Sequence, residues 1–367
     1  MFEPLLRNMS LQKINLPIEI IIKIFENLDL LDLKNTRITC KSFRDVADYV
    51  LTMSARARFS VKLYRQVKDS VIIYGGCTDE EFLNWPSDCE IIGKSTNSNL
   101  KLPPLPQKAA NKEWCPILVY DYNHNQLMFI GSRETWVFKS GKWQFHSQFE
   151  SPRNAGFAVV MPDGIYLFDK ILFNNACETE FRYLPPNGQS WTICSAIFPK
   201  SQAMDRYTCG LAISSSEFVI LRDFETRLIK CNTVDGTCTE MGNLQDNRRR
   251  YTGIVFNGKI IVCGGYKMIN HSVNYFELAK STEIIQLEVL QKSSQQIPTS
   301  QTISRKVGDI NFPRNNPAMG IVKVNGKSKV ILFGGGEPVE EWDDEEEMWR
   351  VSKNFSFTKR IDFFAHC

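Results

Sequence analysis

Four histidines, at 124, 146, 271 and 366, are the first residues to weigh, because a zinc or copper site needs two or three His or Cys ligands converging. No spacing pairs them. The eleven cysteines form no C-x-x-C pair, and the two closest, Cys231 and Cys238, stand seven positions apart, which argues against a zinc knuckle. No G-x-S-x-G, H-E-x-x-H or P-loop string appears, so the reading is of a chain with no catalytic residue, no metal and no cofactor. Cys40 and Cys263 read as packed thiols rather than nucleophiles. What remains is charge. Lys112, Arg153, Arg206, Arg250 and Arg314 recur at steps of 41, 53, 44 and 64, each just before an apolar run. A guanidinium fork suits carboxylate or phosphate. Against these cations stands Glu337–Glu347, a run of eight carboxylates in eleven residues.

The elements that must position such groups are bounded by length and composition. At 367 residues, 43% hydrophobic and 23% charged, the chain has room for two domains or for one large β domain with a small companion. Its net charge of +3 gives no general reason to expect nucleic acid or an acidic membrane surface as a partner. The first residues lack the apolar core of a signal peptide, and no run of about 18 apolar residues could span a bilayer. The expectation is a reducing compartment, cytoplasm or nucleus, with free thiols.

Between Leu16 and Arg58 the apolar spacing is helical. Pro17 fits a first helical position, and Ile20, Ile21, Ile24, Phe25 and Leu28 follow at intervals of three and four. Asp29 can cap a second short helix with Leu30 and Leu33, and Phe43, Val46, Ala47 and Val50 line a third. Three short helices bury too little alone and ask for a partner. The string from Leu16 to Val46, with its Leu-Pro start, its I-F-x-x-L face, its D-L-x-D-L turn and its C-K-x-F-R segment, resembles an F-box, the motif that docks on the Skp-type adaptor of cullin-RING ubiquitin ligases. The resemblance implies an adaptor-facing surface of Leu16, Pro17, Ile20, Ile24, Leu28, Leu33 and Val46. It divides the chain into a tail (1–13), a three-helix F-box (14–58) and the remainder (59–367).

From Phe59 onward the pattern becomes short Val, Ile, Phe and Tyr runs broken by turn residues, the signature of an all-β architecture. Turn signals fall at Lys68-Asp69, Asn123–Asn125, Pro162–Gly164, Ser214–Ser216, Asn257-Gly258 and Asn325-Gly326, each followed by an apolar run and a small or polar break. Six copies of strand, turn, strand, break predict about six four-stranded blades. The breaks after Val71, Ile260 and Val330 keep a double glycine and resemble kelch repeats, so the unit resembles a kelch-like β-propeller; the middle three copies depart from the pattern. Either Ser60–Gln66 or Asn354–Phe364 is expected to close the ring.

F-box and kelch unit together resemble the substrate receptors of SCF-type ubiquitin ligases. The implied function is non-catalytic: the helices hold the adaptor, and the propeller holds a client for ubiquitination. The alternative is a non-degradative scaffold binding cytoskeletal or signalling proteins. In a propeller the five cations would ring the channel mouth and bind a client with an acidic or phosphorylated motif, while the acidic run would fold over them as a loop and compete. Gln291–Ser304 is expected to be a flexible loop on the same face.

Overall fold

Asn257-Gly258 and Asn325-Gly326 show how local chemistry builds this fold. Both residues of each pair have positive φ, 46° and 75° in the first and 50° and 80° in the second. That is the type I′ turn whose twist matches the strands it joins, and Asn-Gly is the pair that adopts it most readily. The structure is a computed structural model and describes residues 63–67, 70–74, 89–92, 100–102, 117–121, 123–124, 126–131, 133–139, 142–149, 155–173, 176–194, 209–222, 226–270, 275–292, 301–314, 317–334 and 337–355. The chain divides into two units, Met1–Phe59 and Ser60–Cys367, and all described residues belong to the second. The expected helices and the seven adaptor-facing residues therefore lie outside the described residues, as do Lys112, Arg153 and Arg206.

Strands β1 (Leu63–Val67), β2 (Ser70–Tyr74), β3 (Cys89–Ile92) and β4 (Leu100–Leu102) form the first antiparallel sheet. The second holds β5 (Ile117–Asp121), β6 (Gln126–Ile130), β7 (Glu134–Lys139) and β8 (Lys142–Gln148). The third holds β9 (Ala155–Met161), β10 (Gly164–Phe173), β11 (Ala176–Leu184) and β12 (Thr192–Ile193), and the fourth β13 (Cys209–Ala212), β14 (Glu217–Leu221), β15 (Arg227–Asn232) and β16 (Cys238–Asn243). Next come β17 (Arg248–Arg249), β18 (Thr252–Phe256), β19 (Lys259–Cys263), β20 (Tyr266–Asn270), β21 (Tyr275–Leu278), β22 (Thr282–Gln286), the helix α1 (Leu287–Lys292) and β23 (Arg305–Val307). Of these, β18, β19, β22 and β23 make the fifth sheet, while β17, β20 and β21 make a three-stranded one that the sequence pattern did not announce. The sixth holds β24 (Ala318–Val324), β25 (Lys327–Phe333), β26 (Glu340–Asp343) and β27 (Met348–Val351). All six turn signals fall between the first two strands of a sheet.

The apolar faces pack between sheets. Met128, Val137 and Leu167 join the second sheet to the third, and Phe157, Phe168, Phe218 and Ile220 join the third to the fourth. Leu221, Leu228, Ile260 and Ile285 join the fourth to the fifth, and Ile261, Ile284, Val330 and Trp349 join the fifth to the sixth. First strands lie beside first strands in the order β1, β5, β9, β13, β18, β24, and β24 returns to β1 and β2. Among the described residues, the first sheet and the last are each built from their own stretch of chain, and most of Asn354–Phe364 lies outside the described residues. Asn354 lies outside any strand.

Three expectations need correcting. Glu340–Asp343 of the acidic run is strand β26, and Asp344–Glu347 is its turn to β27, because burial of Trp342 and Trp349 against the fifth sheet outweighs charge. The expected loop Gln291–Ser304 is corrected only at its ends: Gln291 lies in α1, Gln301 and Ile303 bond the backbone of Asn243 and Ser304 is buried, while 293–300 lie outside the described residues. Cys231 and Cys238, read as free thiols, face each other across the β15–β16 pair with Cα atoms 4.3 Å apart and form a disulfide.

Candidate functional site

The segments that lead into the fifth and sixth sheets carry the same buried clasp. Arg314 is fully buried; its Nη1 donates to the Gly334 carbonyl at 2.7 Å and its Nη2 to Glu340 Oε1 at 3.0 Å and to the Pro338 carbonyl. Glu340 also accepts from the backbone N–H of Asn311 at 2.7 Å. Arg248, likewise fully buried, donates Nε and Nη2 to Glu283 Oε1 at 3.1 and 3.0 Å and Nη1 to the Ser281 carbonyl at 2.7 Å. In each sheet a cation from the incoming segment joins a carboxylate on the third strand to the carbonyls near the glycine break. Gly265 explains why that break is tight: at φ 79° an added Cβ would meet the Tyr251 nitrogen at 2.8 Å.

This geometry corrects the basic ring for its two described members. Arg314 turns both terminal nitrogens to acceptors inside the protein, and Arg250 is 2% exposed, at φ 58°, with its guanidinium 5.7 Å from the Tyr266 ring. Neither is presented to a partner. The counterpart of Arg314 is Arg248, two residues from the position that counting selects. Beside Arg248, burial pushes the Asp246 carboxyl up, but hydrogen bonds from Lys306, Ser281 and Lys267 and the charge of Arg248 outweigh it and hold the group well below the usual range. Burial pushes the Cys263 thiol up to about 12 despite Arg248 and Arg314, so it stays protonated and inert.

The acidic run is spent on its own neighbours rather than on a basic ring. Glu341 bonds Lys329 at 2.8 Å, Asp343 pairs with Arg350 at 3.1 Å, and Asp344 pairs with Lys259 at 2.8 Å. Glu347 takes both terminal nitrogens of Arg305, at 2.7 and 2.5 Å.

The cavity lies elsewhere. A space of about 610 Å³ opens between the second and third sheets, at the end that carries the β5–β6 and β7–β8 turns. Asp121, at the end of β5, accepts from the Asn123 N–H at 2.9 Å and from His124 Nδ1 at 2.5 Å, so the turn closes on its own carboxylate. His124 keeps Nε2 as its free nitrogen. Across the cavity, His146 Nε2 donates to the Gly188 carbonyl at 3.1 Å and its Nδ1 faces Ser147 Oγ at 2.9 Å. A carbonyl can only accept, so Nε2 carries a proton, while the Ser147 hydroxyl can either donate to Nδ1 or accept from it. Burial pushes this imidazole down, with the Gly188 bond pulling the other way. Met128 and Leu184 give the cavity an apolar floor, and Gln126, Lys139 and Gln189 bring polar ends. Sequence spacing paired no histidines, yet the fold sets His124 and His146 on one wall system. The β11–β12 segment is tied there by Trp191, whose Nε1 bonds Thr135 Oγ1 at 3.0 Å, and by the Gly188 carbonyl on His146. Among the described residues no group of three or more His, Cys, Asp or Glu could hold a metal ion.

With the geometry in place, comparison with known proteins adds one decisive observation. Residues 14–52 match the F-box domain. An F-box implies a Skp-type adaptor of cullin-RING ligases as partner and a non-catalytic, adaptor-linked role. All seven residues expected to face the adaptor fall within the matched segment. No curated protein matches the chain. Among solved structures, that of YjhT is similar at a TM-score of 0.56 with 7% sequence identity, covering 81% of this chain and 98% of that one. At that identity the likeness is one of fold alone.

Proposed function

We propose that the protein is a substrate-receptor subunit of an SCF-type ubiquitin ligase, in which the F-box holds the Skp-type adaptor through Leu16, Pro17, Ile20, Ile24, Leu28, Leu33 and Val46 and the β unit holds a client. The observation that carries this reading is the F-box match at residues 14–52. The β unit is a kelch-like propeller of six four-stranded blades on this reading. Support comes from the six four-stranded sheets and from the order of their first strands, which runs from β1 to β24 and back. A sheet buried on both faces by neighbours in a closed order needs no further cover, which leaves its turns free to bind.

The receptor performs no chemistry. It raises the concentration of client near the transferase, which supplies the reactive thiols. The test is affinity purification of the wild-type chain beside a Leu16→Ala/Pro17→Ala variant. Adaptor and cullin should accompany the wild type and be lost from the variant, and their absence from the wild-type eluate sinks the reading. The scaffold alternative makes the opposite prediction for turnover: client lifetime would be the same with either chain.

A further inference from the structure

The basic ring was expected where the chain enters each first strand, and in the fifth and sixth sheets that address is filled by internal clasps. The cavity between the second and third sheets stands at the other end of the strands, beside the turns that follow β5 and β7. Its lining holds one carboxylate and one ammonium, and only the carboxylate is already engaged. The one carboxylate in its lining, Asp121, already accepts from Asn123, His124 and, at 3.5 Å, from Gln126 Nε2. The ammonium of Lys139, at the exposed end of β7, has no partner among the described residues. Gln126 and Lys139 flank the last β6–β7 pair, Leu127↔Phe138, and both line the cavity. Gln189 supplies a second amide with no described partner, and Met128 and Leu184 lie beneath. A volume of about 610 Å³ is within the range of small-ligand sites and has room for a few peptide residues.

We propose that this cavity receives an acidic side chain of the client, a carboxylate or a phosphate monoester, which pairs with Lys139 and takes hydrogen bonds from Gln126 and Gln189 while the flanking peptide lies on Met128 and Leu184. The inference rests on the receptor reading for the identity of its ligand as a client, and it moves the acidic-motif preference from the arginine addresses to the opposite end of the sheets. The two acid sources share one chemistry: an anionic oxygen group that accepts from a lysine and two amides. Paired with an exposed lysine, such a group loses affinity as salt rises.

The test uses the full chain and an array of decapeptides with randomised flanks and Glu, phosphoserine, Gln or Ala at the centre. Wild type should retain Glu-centred or phosphoserine-centred members, the pattern telling which acid is preferred, with at least tenfold weaker retention of the matched Gln peptides. Lys139→Glu should lose the retained peptides by at least tenfold, and Lys353→Glu, an exposed lysine in the sixth-sheet segment, should keep them. Equal retention of Gln and acidic centres overturns the proposal, as does retention of no acidic peptide or an equal loss in both lysine variants. Normal melting of Lys139→Glu separates loss of the site from loss of the fold. Adaptor co-purification is read on the same samples: its absence from wild type defeats the receptor reading and leaves the array result standing by itself.

Discussion

At the scale of single residues, the buried clasps carry the sharpest expectation. Removing Arg314 would leave Glu340 charged, fully buried and short of its partner, and breaking a buried pair in this way costs roughly 3–5 kcal/mol. Arg314→Met should therefore lower the urea midpoint markedly, and a second change, Glu340→Gln, should restore part of it. If the double variant is as weak as the two losses added, the pair is not coupled. His146 offers a pH test. Its folded value is pushed down by burial, so as pH falls the unfolded chain takes up the proton first, and stability declines from an ordinary histidine value of about 6.5 down to the lower folded one. Stability at pH 5.5 should fall short of that at pH 7.5, and His146→Gln, which keeps a donor for Gly188, should reduce the difference. An unchanged pH response in the variant assigns it to other groups. Sequence alone showed that arginines recur, but not that they turn inward, because the carbonyls they satisfy appear only once the glycine break has folded. Lys139 and Gln126 carry no motif, and nothing in their spacing marks them as facing the β11–β12 segment of another sheet.

At the scale of elements, the turns were legible and the embellishments were not. Asn-Gly pairs, Ser214 bonding the N–H of Glu217 at 3.0 Å, and Asp343 bonding those of Glu345 and Glu346 at 3.2 Å each are local chemistry, readable from neighbours in the chain. The β17–β20–β21 sheet depends on a two-residue strand finding a hairpin from the other side of β18 and β19, which no local period encodes. The acidic run misled because charge suggests solvent, whereas Trp342 and Trp349 fix β26 and β27 in place. The Cys231–Cys238 link closes a short loop, so a chain-entropy estimate gives it about 2–3 kcal/mol. Reductant should lower the melting temperature of wild type by a few degrees and leave a Cys231→Ala/Cys238→Ala variant unmoved; equal shifts in both would place the effect elsewhere.

At the scale of the whole β unit, each described core cluster draws on two consecutive sheets. Deleting 317–355 should therefore do more than remove the sixth sheet. It strips cover from β19 and β22 on one side and from β1 and β2 on the other, and the remainder should show neither a cooperative melt nor protease resistance. A folded remainder would mean that the sheets are stable as a row. The six four-stranded sheets were readable from the sequence because each carries its own tight turn between its first two strands. Their mutual order was not, since it is written in shape complementarity between distant stretches.

A sheet whose interior is held in common with its neighbours has no private core to protect. Natural selection then acts on boundaries between consecutive units, where a bulkier residue on one side can be answered by a smaller one on the other. A unit can therefore do without the signature residues while the assembly holds, as in the three middle copies, which lack the double glycine yet have four strands each.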